Sequence, residues 1–379
     1  MDFNLVYLTP TLSSPAGMER VLHNKVYWLT EHRDYQITIV TTDQGDAPIY
    51  FHFPPQVRII DLGINYSADY SRNPLTRSIF LLKKRRLHRK KLELLLNKIH
   101  PDITIALYPS EATVVPKIKD GSKKILEFHS HRFFRLNQGY HGIHLLVAKY
   151  RTWADKRLAT LFDRCVVLTH EGAEQWGKMS NIEVIPNAIT NVPIVSHNLQ
   201  SHRVIAVGRL IYEKGFDRLL RAWALLPKDI RNDWQLDIFG QGELGDSLHM
   251  MINVLGISSS AAIHPPTNKI FDEYANSSFL VMSSRSEGFG MVMLEAMSCG
   301  VPVVSFDFKC GPKEIIQDGI NGILVPEGDI EKLANSILRL IQDSALRNEL
   351  GINAKNVLTT FSQDRIMGMW EQCFTHLLS

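Results

Sequence analysis

The stretch FLVMSSRSEGFGMVMLEAMSCGVPVVSF, residues 279–306, carries a strand, a loop, a helix and a second strand in quick succession. Phe279–Met282 and Val301–Phe306 are short apolar runs, and Met291–Cys299 between them has helical composition. A strand that returns to the same sheet through a helix must run parallel to its predecessor, so this stretch predicts a parallel α/β sheet.

The same alternation continues in both directions. Toward the N-terminus, strands are predicted at Asn4–Leu8, Gln36–Thr41, Val57–Asp61, Asp102–Leu107, Lys124–Phe128, Arg164–Leu168 and Ile182–Ile185. Around the opening stretch they are Arg203–Val207, Gln235–Phe239 and Gly322–Val325, with helices such as Glu19–Thr30, Phe216–Leu226 and Ile330–Leu340 in the gaps. Between Asn187 and His202 the chain turns polar, with Pro193, Ser196 and Asn198. We place a domain boundary there, giving two doubly wound domains, 1–190 and 200–360. The last helix, Gln363–Leu378, is expected to cross back to the first domain. Ligands bind outside the carboxyl ends of parallel strands, so two such sheets facing each other frame one cleft.

At 379 residues, 45% hydrophobic and 21% charged, the chain has core material for two domains. Residues 1–200 hold 26 Lys and Arg against 18 Asp and Glu, a net of +8, whereas residues 201–379 hold 16 against 21, a net of −5. The asymmetry predicts an anionic partner for the first half. Cys165, Cys299, Cys310 and Cys373 are widely spaced, which indicates neither a disulfide framework nor a thiolate metal site. Met1–Pro10 lacks signal-peptide character and no apolar stretch reaches membrane-spanning length, so a cytoplasmic protein is expected, with any membrane contact peripheral at the inner face.

Within the opening stretch, Gly288 and Gly290 let the backbone turn tightly and approach a ligand. The helix opening near Gly290 or Met291 aims free N–H groups and a positive dipole end at the cleft, a seat for phosphate or sugar oxygens. Glu287 in the loop and Glu295 in the helix offer carboxylates to polyol hydroxyls. Two glutamates eight residues apart are more often a cap and a solvated side chain. Their apolar surroundings, Ala296, Met297, Cys299 and Val301–Val304, tip the balance toward function.

Glu287 to Glu295 resembles the E-x7-E element of the family 4 glycosyltransferases, retaining enzymes of the two-domain GT-B fold; the similarity is strong from Arg203 to Leu358 and looser before. The resemblance implies that Glu287 contacts the donor sugar near its anomeric centre and that Glu295 holds the nucleotide ribose. The backbone of Gly288, Phe289, Gly290, Met291 and Val292 would line the sugar and diphosphate.

Arg203–Phe216 reads as strand, glycine loop and helix start, with Arg209 and Lys214 at the strand end. Its G-R-L-x-x-x-K-G pattern resembles the family's diphosphate clamp. Cations there would stabilise charge that grows on the leaving diphosphate. Ser13–Arg20 resembles the family's glycine-rich loop, with Gly17 as a donor contact and Ala16 where many relatives have glycine; a plain strand-to-helix turn is the alternative. His129, at a strand end beside His131, resembles a family histidine at the sugar's reacting end, against the alternative of a surface loop. Pro186-Asn187-Ala188 matches a family segment apart from Ala188 and is expected to shape the hinge. Ala262–Thr267 departs from the family where it borders the base, which leaves base preference open.

The resemblance implies a glycosyltransferase that moves a hexose or N-acetylhexosamine, by default from a UDP-sugar with GDP-mannose open, to a glycan or lipid-linked acceptor in surface polysaccharide biosynthesis. No cofactor is expected. No Asp-x-Asp occurs, so metal independence is expected, with charge neutralised by Arg209, Lys214 and helix dipoles. The alternatives are a nucleotide-sugar epimerase or a non-catalytic sugar-nucleotide-binding protein of the same fold. An NAD protein is disfavoured because G-x-G-x-x-G is absent after the first strand.

One segment stands apart. Residues 83–91 carry seven cations among leucines. Leu81, Leu82, Leu92, Leu95 and Leu96 are expected to face the sheet, leaving the cations for solvent or for anionic lipid headgroups. No nucleic-acid motif accompanies them, so no nucleic-acid partner is expected.

Overall fold

The computed structural model describes residues 3–14, 17–69, 74–108, 111–137, 141–190, 192–195, 197–198 and 200–379. Ala16 and Ser196, singled out above, lie outside them.

Strands β1 (Asn4–Thr9), β2 (Gln36–Thr41), β3 (Arg58–Asp61), β4 (Ile103–Leu107), β5 (Lys123–Phe128), β6 (Arg164–Val167) and β7 (Ile182–Val184) form one parallel sheet in the order β3-β2-β1-β4-β5-β6-β7. Strands β8 (Arg203–Val207), β9 (Gln235–Phe239), β10 (Ala261–His264), β11 (Phe279–Met282), β12 (Val303–Asp307) and β13 (Gly322–Pro326) form a second, in the order β10-β9-β8-β11-β12-β13. All pairings are parallel, for example Leu5 against Ile37 and Leu280 against Val303. The central strands are buried on both faces, which is why they read as unbroken apolar runs.

The fold corrects the sequence reading in detail. β10 is an extra strand; its AAIH sequence carries little β-branched signal and it forms by pairing with β9. The predicted strand at Val301 begins two residues later, because Pro302 lacks the N–H that a ladder requires.

Helices α1 (Gly17–His32), α2 (Pro74–Ile99), α3 (Gly142–Ala159) and α4 (His170–Trp176) wind the first sheet. α1 shares one core layer with Ile366, Met367, Trp370 and Phe374 of the C-terminal helix Gln363–Leu378, while α2 and α3 cover the opposite layer. The chain thus crosses between domains twice, and the crossings touch: the Ile189 N–H donates to the Phe361 carbonyl at 2.9 Å. On α2 the expected leucine stripe is partly wrong. Leu92 and Leu96 are buried and Leu95 half-buried, but Leu82 is 58% exposed. His88 completes the buried face instead, with Nδ1 3.1 Å from the Tyr66 hydroxyl.

Strand order reverses between β1 and β4 in the first sheet and between β8 and β11 in the second. Those reversals open the crevices in which open α/β sheets hold ligands.

Candidate active site

The loops after β8 and β11 flank the second reversal, and glycine lets them interlock. Gly215 has φ +64°, and a Cβ there would lie 2.1 Å from the Ser283 carbonyl oxygen. Arg285 stitches the loops together. Its guanidinium donates to both Asp217 oxygens at 2.8 and 2.7 Å and to the Tyr212 carbonyl at 2.7 Å, stacked 4.0 Å over the Tyr212 ring.

This frame fixes Lys214 against Glu287. Lys214 Nζ lies 2.5 Å from Glu287 Oε1, and the Ser284 hydroxyl donates to the same oxygen at 2.7 Å. The lysine stem lies along Gly208, where a Cβ would meet its carbons at 3.2 Å. Arg209 is exposed beside it, and no described residue takes its guanidinium. The predicted clamp therefore consists of one engaged and one free cation.

Gly290, at φ +95°, caps the helix Met291–Ser298, so the amides of Met291 and Val292 open that helix. The Phe289 side chain turns away and packs on Phe361 with ring centroids 5.7 Å apart, leaving only its backbone to the loop. Gly288 meets the other domain, where a Cβ would lie 2.1 Å from the His129 carbonyl oxygen. Any side chain there would push the domains apart.

Glu295 is buried and bridged across the cleft. Arg20 of α1 donates to its Oε1 at 2.8 Å, and Tyr274 donates to Oε2 at 3.1 Å. Burial pushes its carboxyl pKa up, and Arg20 and the Tyr274 hydroxyl pull against that. Gly17 starts the same α1, one turn before Arg20.

Facing the loops after β8 and β11, His129 stands at the end of β5. Its Nε2 is 3.0 Å from Glu127 Oε2, whose other oxygen takes Lys25 Nζ at 2.7 Å. A carboxylate only accepts, so Nε2 carries the proton. Glu127 is fully buried, which by itself would raise its pKa; the Lys25 ammonium and His129 reverse this and bring it down to about 2. Lys25 is covered by the Trp370 ring of the C-terminal helix, 3.5 Å from its centroid. His131 is buried, so the surface-loop alternative does not hold, and burial lowers its pKa to about 4 against the pull of Glu287.

A second pair of contacts closes the far rim. Glu314 caps α4 from the opposite domain, accepting the His170 N–H at 2.5 Å, while Glu171 accepts the Cys310 N–H at 2.7 Å and pairs with Lys309 at 3.0 Å.

The structure thus gathers Gly17, His129, Arg209, Lys214, Glu287, Gly288, Phe289, Gly290, Met291, Val292 and Glu295 around one cleft. It adds Arg20, Lys25, Glu127, Tyr274, Ser284 and Arg285, which sequence reasoning missed. Arg20, at the end of the quoted Ser13–Arg20 loop, and Ser284 and Arg285, in the quoted loop after β11, sat inside motifs with a local signal. Among the described residues no cluster of three or more His, Cys, Asp or Glu could hold a metal ion.

Residues 190–357 match the family described as glycosyl transferases group 1. The chain is 36% identical over 228 residues to an exopolysaccharide phosphotransferase of Streptomyces coelicolor, covering 58% of this chain and 24% of that protein. It is 35% identical over 171 residues to the amylovoran biosynthesis glycosyltransferase AmsD of Erwinia amylovora, 45% of this chain and 47% of that one. It thus spans about a quarter and about half the length of these two relatives. The fold is similar to that of HepE from Anabaena in complex with UDP and glucose, with a TM-score of 0.73 at 19% identity over 99% of this chain and 100% of the other.

Proposed function

We propose that this chain, whose residues 190–357 belong to the group 1 glycosyl transferases, is a retaining glycosyltransferase that moves a hexose or N-acetylhexosamine from a UDP-sugar to a glycan or lipid-linked acceptor in surface polysaccharide biosynthesis. The observation that carries the reading is the seat at the β8/β11 reversal, where Lys214 neutralises Glu287 beside the exposed Arg209 and the opening of a helix. Both glutamates are occupied by cations that a donor can replace. Ribose hydroxyls take the Glu295 oxygen now held by Arg20, sugar hydroxyls take Glu287, and the freed Lys214 with Arg209 meets the diphosphate. The UDP and glucose held by the similar structure support the choice of base.

The reaction proposed is front-side displacement. The bond from the anomeric carbon to the donor phosphate breaks as the acceptor oxygen bonds to the same face, and the acceptor proton passes to a phosphate oxygen. Arg209, Lys214 and the helix N-terminus stabilise the charge that grows on the diphosphate, a task for which no metal is needed. His129, held by Glu127, orients the sugar at its reacting end. Peripheral contact of residues 83–91 with an anionic inner membrane face belongs to the same proposal.

Calorimetric titration with UDP, GDP and their sugars tests the donor assignment. Micromolar UDP binding that weakens at least tenfold in Glu295→Ala is expected; no nucleotide binding would overturn it.

A further inference from the structure

Helix α3 is built inside out. It packs on the domain through Ala148, Thr152, Asp155 and Ala159, small or polar residues, while Ile143, Leu146, Val147, Tyr150 and Trp153 point away from it. These five are 45–72% exposed. Their spacing places them on one stripe of a helix that turns about 100° per residue. Lys149 and Arg151, both exposed, lie about 100° to either side of that stripe. Arg157 stacks 4.1 Å from the Trp153 centroid at the helix end. Scattered exposed apolar residues need no explanation, but a contiguous stripe opposite the packed face does.

The neighbouring helix narrows the choice of occupant. α2 and α3 share a core layer, so they cover the same face of the sheet. On α2, Leu82 and Leu87 are exposed among the exposed cations Lys83, Arg85, Arg86 and Lys90. Apolar and aromatic side chains that face outward, rimmed by cations, match a bilayer interface with anionic headgroups. Among the described residues no helix is long and apolar enough to cross a membrane, so contact through α3 lies in the plane of the interface.

We infer that the outward stripe of α3 inserts into the headgroup boundary of an anionic lipid surface, seating this face of the first domain on the membrane. The inference extends the contact proposed for residues 83–91 and rests on it only for the sign of the lipid charge. Insertion by α3 is a separate, apolar contribution that salt does not screen.

The test is flotation of the full chain with phosphatidylcholine vesicles, with and without phosphatidylglycerol. Three proteins are compared: wild type, Leu146→Gln/Trp153→Gln, and Lys83→Gln/Arg85→Gln/Arg86→Gln. Expected is wild-type binding to the anionic vesicles that falls about tenfold or more in the α3 variant, with melting temperature and UDP affinity unchanged. A blue shift of Trp153 fluorescence on vesicle addition should accompany wild-type binding. Equal binding by wild type and the α3 variant would overturn the inference, even if the α2 variant lost binding and so upheld the basic-helix reading. Absence of wild-type binding to either vesicle would overturn both. A wild-type dimer that dissociates in the α3 variant would instead assign the stripe to a second copy and overturn the lipid assignment.

Discussion

Arg20 and Glu295, 275 residues apart, meet at 2.8 Å across the cleft, and their ion pair occupies the carboxylate oxygen proposed to take the donor ribose. Arg20 is half exposed, so its coupling to Glu295 is modest, about 1 kcal/mol. A double-mutant cycle with Arg20→Ala and Glu295→Gln, read by unfolding, should return that coupling in the empty protein. Saturating UDP should abolish it, because the ribose replaces the arginine. Coupling that persists with UDP bound would show that Glu295 does not hold the nucleotide.

Tyr274 tests the other oxygen of the same carboxylate. Tyr274→Phe leaves Glu295 Oε2 buried without its donor, which costs about 1–3 kcal/mol of stability. Donor KM should rise with kcat little changed, since the lost interaction orients a ground-state contact. A fall in kcat at constant KM would contradict this.

Glu127 is buried and holds His129 at 3.0 Å, which fits a positioning role in the proposed reaction. Glu127→Gln keeps the shape but leaves Lys25 as a buried cation without a counter-charge, a loss of about 3–5 kcal/mol. Lys25→Met/Glu127→Gln removes both charges and should recover most of that stability while kcat stays low, because the neutral amide can accept the Nε2–H bond but no longer supplies the charge that strengthens it. Full recovery of kcat in the double variant would reduce the pair to a structural role.

His88 and His131, whose pKa values burial lowers to about 4, each contribute to the pH dependence of stability. The fold holds both imidazoles neutral, whereas the unfolded chain takes up protons near pH 6.5. The share of stability that these two imidazoles contribute is therefore complete above about pH 6.5 and falls as pH drops toward 4, while the buried Glu111, raised to about 8, contributes with the opposite sign. His88→Leu should remove its share of that slope, at most about 3 kcal/mol between these limits. Unfolding free energies at the two ends of the window measure it, and an unchanged slope would contradict the assignment.

How much of this was legible in the sequence depends on the range of each interaction. The opening stretch announced its strand, loop and helix because those elements form from near neighbours, and Gly288, Gly290 and Gly215 marked where backbones approach. β10 escaped because Ala261–His264 is a strand through its partner more than through its own residues. On α2, leucines occur on several sides of the helix, so composition could not choose a face; His88 at the spacing of Leu92 and Leu96 settled it. Arg20–Glu295 and Lys25–Glu127 join residues with no local relation. The α3 stripe went unread in the sequence, where apolar spacing alone does not say which side of a helix faces the core.

Chelation probes the proposed division of labour at the diphosphate. With Arg209 and Lys214 supplying the charge, EDTA should leave nucleotide release within about twofold of the untreated rate, whereas Arg209→Ala should lower it roughly 10²-fold. A tenfold loss in EDTA restored by a divalent cation would contradict metal independence.

The central claim is that the Lys214–Glu287 pair is where a sugar donor binds and reacts. Release of UDP from UDP-glucose and UDP-N-acetylglucosamine, with a glycan acceptor, by wild type and by Glu287→Ala tests it most directly. The expected result is release by wild type that falls roughly 10²–10³-fold in the variant while its melting temperature holds. Release that is unaffected by Glu287→Ala would contradict the account.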